Sequence, residues 1–202
     1  MKALHIDSSI LGEQSASRRL SADIIAHLRK TDPSLDVTYR DLAAEPPAHL
    51  EIAYLGTADA ASGEHTKEAA FTEQLLQEFL QADLLVIGAP MYNLGIPSVL
   101  KAWFDRIMQA GKTFRYTETG PQGLAGDKRV LIASTRGGIY SVGAAAELDF
   151  QEAYLRAAFG FIGIDDVTFI RAEGLAMGEE AHTAAMTQAQ KELQGVVISL
   201  AA

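Results

Sequence analysis

The chain has 202 residues, is 48% hydrophobic and 21% charged, carries a formal charge of −9 and contains no cysteine. These values describe one ordinary globular domain, residues 1–202, and exclude disordered, fibrous and disulfide-stapled classes. The negative charge disfavours nucleic acid and anionic membrane surfaces as partners, and the lack of thiols removes thiolate metal sites and cysteine nucleophiles.

The first β-rich run is Ala3–Asp7, and its early acid argues against a signal peptide, so a cytoplasmic location is expected. Ser17–Arg29 then sets Leu20, Ile24, Ile25 and Leu28 on one stripe, the spacing of an amphipathic helix. A second strand, Asp36–Arg40, leads into Asp41–Thr66, an unusually long connection holding Pro46-Pro47 and Ser62-Gly63. Lys67–Gln81 is the next helix, with Ala70, Phe71, Leu75, Phe79 and Leu80 as its apolar face. The run Leu84–Ala89 reads as a buried parallel strand, and Pro97–Met108 as a helix with Pro97 in its first turn. Gly111–Lys128 is a second long insertion, of a kind that often lines a pocket. Strand Val130–Ser134, helix Phe150–Phe161, strand Val167–Arg171 and helix Glu179–Ser199 complete the chain. Five alternations of strand and helix predict an α/β fold: a five-stranded parallel sheet in the flavodoxin-like order 2-1-3-4-5, with helices on both faces. No apolar run approaches the roughly 20 residues that cross a bilayer.

Ligands of such sheets bind beyond the carboxyl ends of the strands, so three junctions matter most. After the first strand, Asp7-Ser8-Ser9 runs into Ser15-Ala16-Ser17-Arg18 at a helix start. Hydroxyls and unpaired first-turn amides there form an anion site; equally, Ser15 or Ser17 is simply an N-cap. After the third strand comes Pro90-Met91-Tyr92-Asn93-Leu94-Gly95, which suits a flat ring pressed against backbone, or a turn with Asn chosen for its tolerance. After the fourth comes Thr135-Arg136-Gly137-Gly138, whose glycines let amides approach a ligand edge and whose arginine neutralises an anion or pairs with an acid. An anion end and a flat-ring end about a ribityl chain apart describe flavin mononucleotide (FMN). The five histidines show no metal-ligand spacing, and His5 reads as a core residue rather than a base.

At these residues the chain resembles the FMN-dependent NADH azoreductases and the related flavodoxin-like NAD(P)H quinone reductases. The resemblance also rests on Ala110-Gly111-Lys112-Thr113-Phe114-Arg115-Tyr116-Thr117-Glu118 and Phe159-Gly160-Phe161-Ile162-Gly163-Ile164, and it covers nearly the whole chain. It implies that Ser9, Ser15, Ala16 and Ser17 hold the FMN phosphate. Pro90, Met91, Tyr92, Asn93 and Leu94 would pass the ring, and Thr135, Arg136, Gly137 and Gly138 would offer amides to its pyrimidine edge. It further implies NADH, or NADPH, as donor, quinones and azo compounds as acceptors, ping-pong turnover and a homodimer with its site at the subunit boundary. Tyr116 and Phe161 are the candidate aromatic walls around nicotinamide or substrate, one of them reaching across from the partner; for both, simple core packing is the alternative. Leu94 departs from the Phe common in the family, Gly95 from a polar residue and Thr135 from Ser, which puts substrate preference at Leu94. The alternative is an electron-transfer module of flavodoxin type acting on a protein partner, distinguished by a stable semiquinone and negligible NADH oxidation.

Overall fold

A computed structural model describes residues 1–51 and 63–196. The part of the long connection at 52–62, and residues 197–202, lie outside the described residues. Five strands, β1 (Lys2–Asp7), β2 (Asp36–Asp41), β3 (Leu84–Pro90), β6 (Arg129–Thr135) and β7 (Val167–Ala172), form one sheet in the order β2-β1-β3-β6-β7. Every pairing in it is parallel. Numbered within that sheet, the order is the expected 2-1-3-4-5. The helices are α1 (Ala16–Thr31), α2 (Gly63–Gln81), α3 (Ser98–Ile107), α4 (Phe150–Phe161) and α5 (Glu179–Gln194).

Alternation along the strands divides the core in two, because successive side chains leave opposite faces of a sheet. Leu4, Ile6, Leu85, Ile87, Val130 and Ile132 join Phe79 of α2, Trp103 and Phe104 of α3 and Phe159 of α4. Ala3, Leu84, Val86, Leu131, Ala133 and Ile170 meet Leu20, Ile24 and Leu28 of α1 with Met186 and Leu193 of α5. Trp103 anchors the first cluster through edge-on contacts with Phe79 and Phe104, at 6.0 and 5.1 Å between centroids.

Two expectations need correction. Beside them, Gly111–Lys128, read only as a long insertion, holds β4 (Phe114–Thr117) and β5 (Gly120–Gly123), which pair as an antiparallel hairpin through the two residues Glu118 and Thr119. Pro97 sits at the N-cap of α3 rather than inside its first turn, its carbonyl accepting from the Leu100 and Lys101 amides. Helix α5 stops at Gln194, where the Gly195 amide turns back onto the Glu192 and Leu193 carbonyls. The end of the expected helix, residues 197–199, lies outside the described residues.

Three described glycines, Gly88, Gly123 and Gly126, are required by close approach. At Gly88, facing Asp7 across the β1–β3 register, a Cβ would lie 2.4 Å from Asp7 Oδ1. At Gly123 it would lie 2.1 Å from the Gly163 amide nitrogen, where the hairpin backbone rests on the turn after α4. Backbone cannot yield as a side-chain tip can, so Gly123→Ala is expected to lower stability by about 2 kcal/mol or more, measured by urea denaturation.

Candidate functional site

Strands β1, β3 and β6 are neighbours in the sheet, so their carboxyl ends bring the three junctions together. The loop after β1 is held from behind. Ser8 Oγ donates to the Gly88 carbonyl at 2.7 Å, and Arg18 Nε and Nη2 donate to the Ser9 carbonyl at 3.3 and 2.9 Å. Ser15 is the N-cap of α1: its Oγ accepts from the Arg18 amide at 3.3 Å and lies 3.0 Å from Ser17 Oγ. The Arg19 amide bonds to the Ser15 carbonyl, which leaves the Ala16 and Ser17 amides without an acceptor among the described residues. Capping and anion binding are therefore compatible here, with Ser15 doing the first.

Arg18 is occupied elsewhere. It grips Asp41 with two bonds of 2.7 Å and donates to Tyr39 Oη at 3.1 Å. Behind it a buried chain runs from His5 Nε2 to Ser21 Oγ (2.9 Å) and on to Asp7 Oδ1 (2.8 Å), with Tyr39 Oη donating to Asp7 Oδ2 at 3.1 Å. Burial lowers the His5 pKa and raises that of Asp7; burial, then the Asp7 charge, lifts Tyr39 to about 12. These groups stitch β1, β2 and α1 beneath the loop, and His5 is a core residue as its sequence position suggests.

The loop after β3 continues the sheet through a bond of 2.8 Å from the Met91 amide to the Thr135 carbonyl. Tyr92 and Gly95 then exchange both backbone bonds, at 2.9 and 3.1 Å, around Asn93 (φ +48°) and Leu94 (φ +72°). Two central residues of positive φ characterise a type I′ turn, natural for Asn and costly for a bulky residue such as Leu94. The Tyr92 ring reaches back to the first loop: its Oη lies 3.0 Å from Ser9 Oγ and accepts from the Ile10 amide at 3.2 Å.

After β6 the backbone is oriented by its own carbonyls. The Arg136 carbonyl accepts from Leu175 N–H at 3.1 Å, and the Gly137 carbonyl from Ala176 N–H at 3.0 Å. In a trans peptide the following N–H points the opposite way. The Gly137 and Gly138 amides are thus turned away from the 174–177 loop. A cavity of about 520 Å³ lies among Met91, Asn93, Leu94, Gly137, Gly138 and Tyr140. An apolar groove of about 800 Å³ adjoins it at Asn93, lined by Tyr92, Ile96, Phe150, Ala153 and Tyr154 among others.

Of the two roles expected for the Arg136 side chain, the structure shows pairing with acids, here buried ones, and not the ligand-facing role. Its amide is bonded to the Ala172 carbonyl, and its guanidinium is 1% exposed among acids. It pairs with Asp149 (2.8 Å), Glu152 (2.7 Å) and Glu173 (2.8 Å), so neither amide nor side chain is free for a ligand. Its partners lie 13 to 37 residues away, and none was legible as such in the sequence. Among the described residues no three His, Asp or Glu side chains are placed to hold a metal, and no helix is long and apolar enough to cross a membrane.

Residues 1–197 match the family described as flavodoxin-like fold. The chain is 52% identical over 208 residues to the FMN-dependent NADH:quinone oxidoreductase of Azospirillum brasilense, covering all of both chains. The chain belongs to the FMN-dependent NADH:quinone oxidoreductase family. A second member of this quinone oxidoreductase family, from Methylocella silvestris, is 57% identical over 194 residues, covering 94% of this chain and 95% of that one. The solved FMN-dependent NADH-azoreductase from Bacillus anthracis str. Ames Ancestor in complex with FMN superimposes with a TM-score of 0.86 at 28% identity, covering 96% of each chain.

Within one chain, the structure does not bring the two aromatic candidates of the quinone oxidoreductase reading to the glycine-edged cavity. Phe161 and Tyr116 both lean edge-on against Phe114, at 4.7 and 5.5 Å, with Phe161 also packed on the core. Tyr116 is 74% exposed and borders a different cavity of about 310 Å³, with Arg106, Met108 and Phe114. Tyr140, which the sequence reading passed over, does line the glycine-edged cavity; it follows Gly137-Gly138 closely enough that loop continuity was its signal.

The Arg18 bonds hold the Asp41 carboxyl below the usual carboxylate range. A depressed folded pKa contributes stability that is complete above about pH 4 and disappears as pH falls through the folded value. Asp41→Asn is therefore expected to be less stable at neutral pH and to show a shallower loss as pH falls below about 4, followed by denaturant midpoints across an acid series.

Proposed function

We propose that this chain is an FMN-dependent NADH:quinone oxidoreductase and azoreductase, one flavin-binding domain that reduces quinones and azo compounds by two electrons. What carries the reading is the pair of glycine amides, fixed from behind by the 174–177 loop, facing the Met91–Leu94 turn across a cavity at three adjacent strand ends. The residues present fit FMN. Ser9 and Ser17 are fully buried hydroxyls beside the free Ala16 and Ser17 amides, a dipole-favoured seat for the phosphate. FMN, when bound, supplies hydride chemistry, so the protein's task is binding, orientation and electrostatics.

The chain's own residues have distinct parts in that task. Gly137 and Gly138 N–H would hold the pyrimidine edge and favour negative charge there. Met91, Asn93 and Leu94 would border the ring, while Tyr92 joins the ring loop to the phosphate loop. No titrating side chain among those lining the cavity is required as acid or base. NADH, or NADPH, and the acceptor would use the same open side in turn, a ping-pong scheme. A homodimer is supported by exposed apolar residues next to the site: Ile10 and Leu11 after Ser9, Ile139 and Val142 after Gly138, and Phe150 on the groove. In that assembly Tyr116 or Phe161 of the second copy would wall the cavity. The lack of cysteine suits a cytoplasmic location.

The test is spectroscopic. Protein supplied with FMN should show a bound-flavin spectrum, bleached by NADH without air and restored by a benzoquinone; a protein that gains no flavin spectrum overturns the reading. Ser17→Ala is expected to weaken FMN about tenfold, the value of a hydrogen bond to a charged group, and to leave riboflavin binding unchanged in fluorescence titrations.

A further inference from the structure

Gln151 lies outside the ligand cavity yet joins both loops that line it. It is fully buried at the second position of α4, behind the N-cap Asp149. Its Nε2–H donates to the Ala89 carbonyl at 2.8 Å. Its Oε1 accepts from Arg136 Nε at 3.1 Å and from Ser134 Oγ at 3.4 Å. Ala89 immediately precedes Pro90-Met91, and Arg136 immediately precedes Gly137-Gly138.

The β3–β6 ladder sets the spacing of these strands only as far as Pro90 and Thr135. Past that point one backbone bond, Met91 N–H to the Thr135 carbonyl, ties the two loops directly. From the last rungs of the ladder, Gln151 adds a side-chain tie between Ala89 and Arg136, of a kind that few side chains could make. The Ala89 carbonyl, already within the ladder, has a second lone pair open to a donor and Arg136 Nε–H takes an acceptor, and an amide presents one of each in a single plane. A carboxylate can serve only the arginine, and a thioether of similar size serves neither well. The α4 backbone fixes where this amide stands, because Asp149 Oδ1 accepts from the Gln151 and Glu152 amides at 3.1 and 3.0 Å. Packing alone does not call for it, since an apolar residue would fill the same space without a buried polar group to satisfy.

We infer that Gln151 is a positioning residue for the ring end of the FMN site, setting the gap between the Met91–Leu94 turn and the Gly137–Gly138 amides. The inference rests on the FMN reading above. It acts through the two loops and touches no ligand atom. Because it governs the ring end alone, its loss should weaken FMN and riboflavin by the same factor, whereas a defect at the phosphate end weakens FMN selectively.

The experiment titrates FMN and riboflavin into apo-protein of the parent, Gln151→Met and Gln151→Glu, by flavin fluorescence at 25 °C, with far-ultraviolet circular dichroism and melting temperature recorded alongside. Both variants are expected to keep the parent's circular dichroism and to bind each flavin about tenfold more weakly, with the FMN-to-riboflavin ratio preserved. Gln151→Glu retains the Arg136 partner and loses only the Ala89 bond, so it decides the matter alone if Gln151→Met does not fold. Affinities within twofold of the parent in a folded variant overturn the inference, as does a loss confined to FMN. A parent that binds neither flavin overturns the FMN reading itself, an outcome that the variants cannot mimic.

Discussion

A buried guanidinium is the constraint on which the ligand end of this fold depends. Arg136 sits at the turn leaving β6 with three carboxylates around it, contributed by the N-cap of α4, its first turn and the end of β7. Arg171 adds a second cation on Glu152, at 2.6 Å. Ionic clusters of this kind are weak sources of net stability, but removing one partner strands the others and costs about 3–5 kcal/mol. That asymmetry fixes geometry. The glycine turn cannot shift its amides without moving Arg136, and Arg136 cannot move without taking their cation from Asp149 and Glu173 and one of its two cations from Glu152.

The same arrangement separates the charge that builds the site from the surface that a ligand meets. Arg18 in the first turn of α1 and Arg136 just after β6 both face inward, onto Asp41 and the Ser9 carbonyl in one case and onto acids in the other. What is left toward the cavity is backbone N–H, hydroxyl and aromatic surface. Such a lining suits an anion or a ring edge through oriented dipoles that need no rearrangement when a ligand arrives, in a chain of net charge −9.

The fold was largely legible because its signals are local. Five- and six-residue β-rich runs and 3.6-residue stripes pointed to all five sheet strands and five helices, with ends shifted by a few residues, and strand order followed from the βα alternation. The three ligand loops were legible for the same reason, as unusual residues at strand ends. What escaped is set by partners distant in sequence. The β4–β5 hairpin has four-residue strands, one of them Gly-Pro-Gln-Gly, and is held where Gly123 meets Gly163, a contact no window of sequence contains. Arg136 looked like a ligand cation because its sequence neighbours are glycines, while its acids arrive from α4 and β7. Gln151 was invisible for a related reason: nothing in a helix's second residue announces that it will bridge two loops.

Leu94 shows where local rules and the site disagree. The turn between Tyr92 and Gly95 has the backbone of an Asn-Gly hairpin bend, yet its second residue carries a branched side chain at φ +72°. A left-handed conformation costs an ordinary residue about 1–2 kcal/mol, and glycine would avoid most of it. The backbone around it leaves little choice of conformation: the Met91 amide is tied to Thr135, Tyr92 and Gly95 close the turn on themselves, and the Tyr92 hydroxyl is engaged with Ser9 and Ile10. With the turn held on both sides, the side chain at 94 stands at the edge of the glycine-lined cavity whatever its identity. Strain that is kept where glycine would be easier points to a side chain retained for what it presents to the cavity. The turn sets the position of that wall, and residue 94 sets its size.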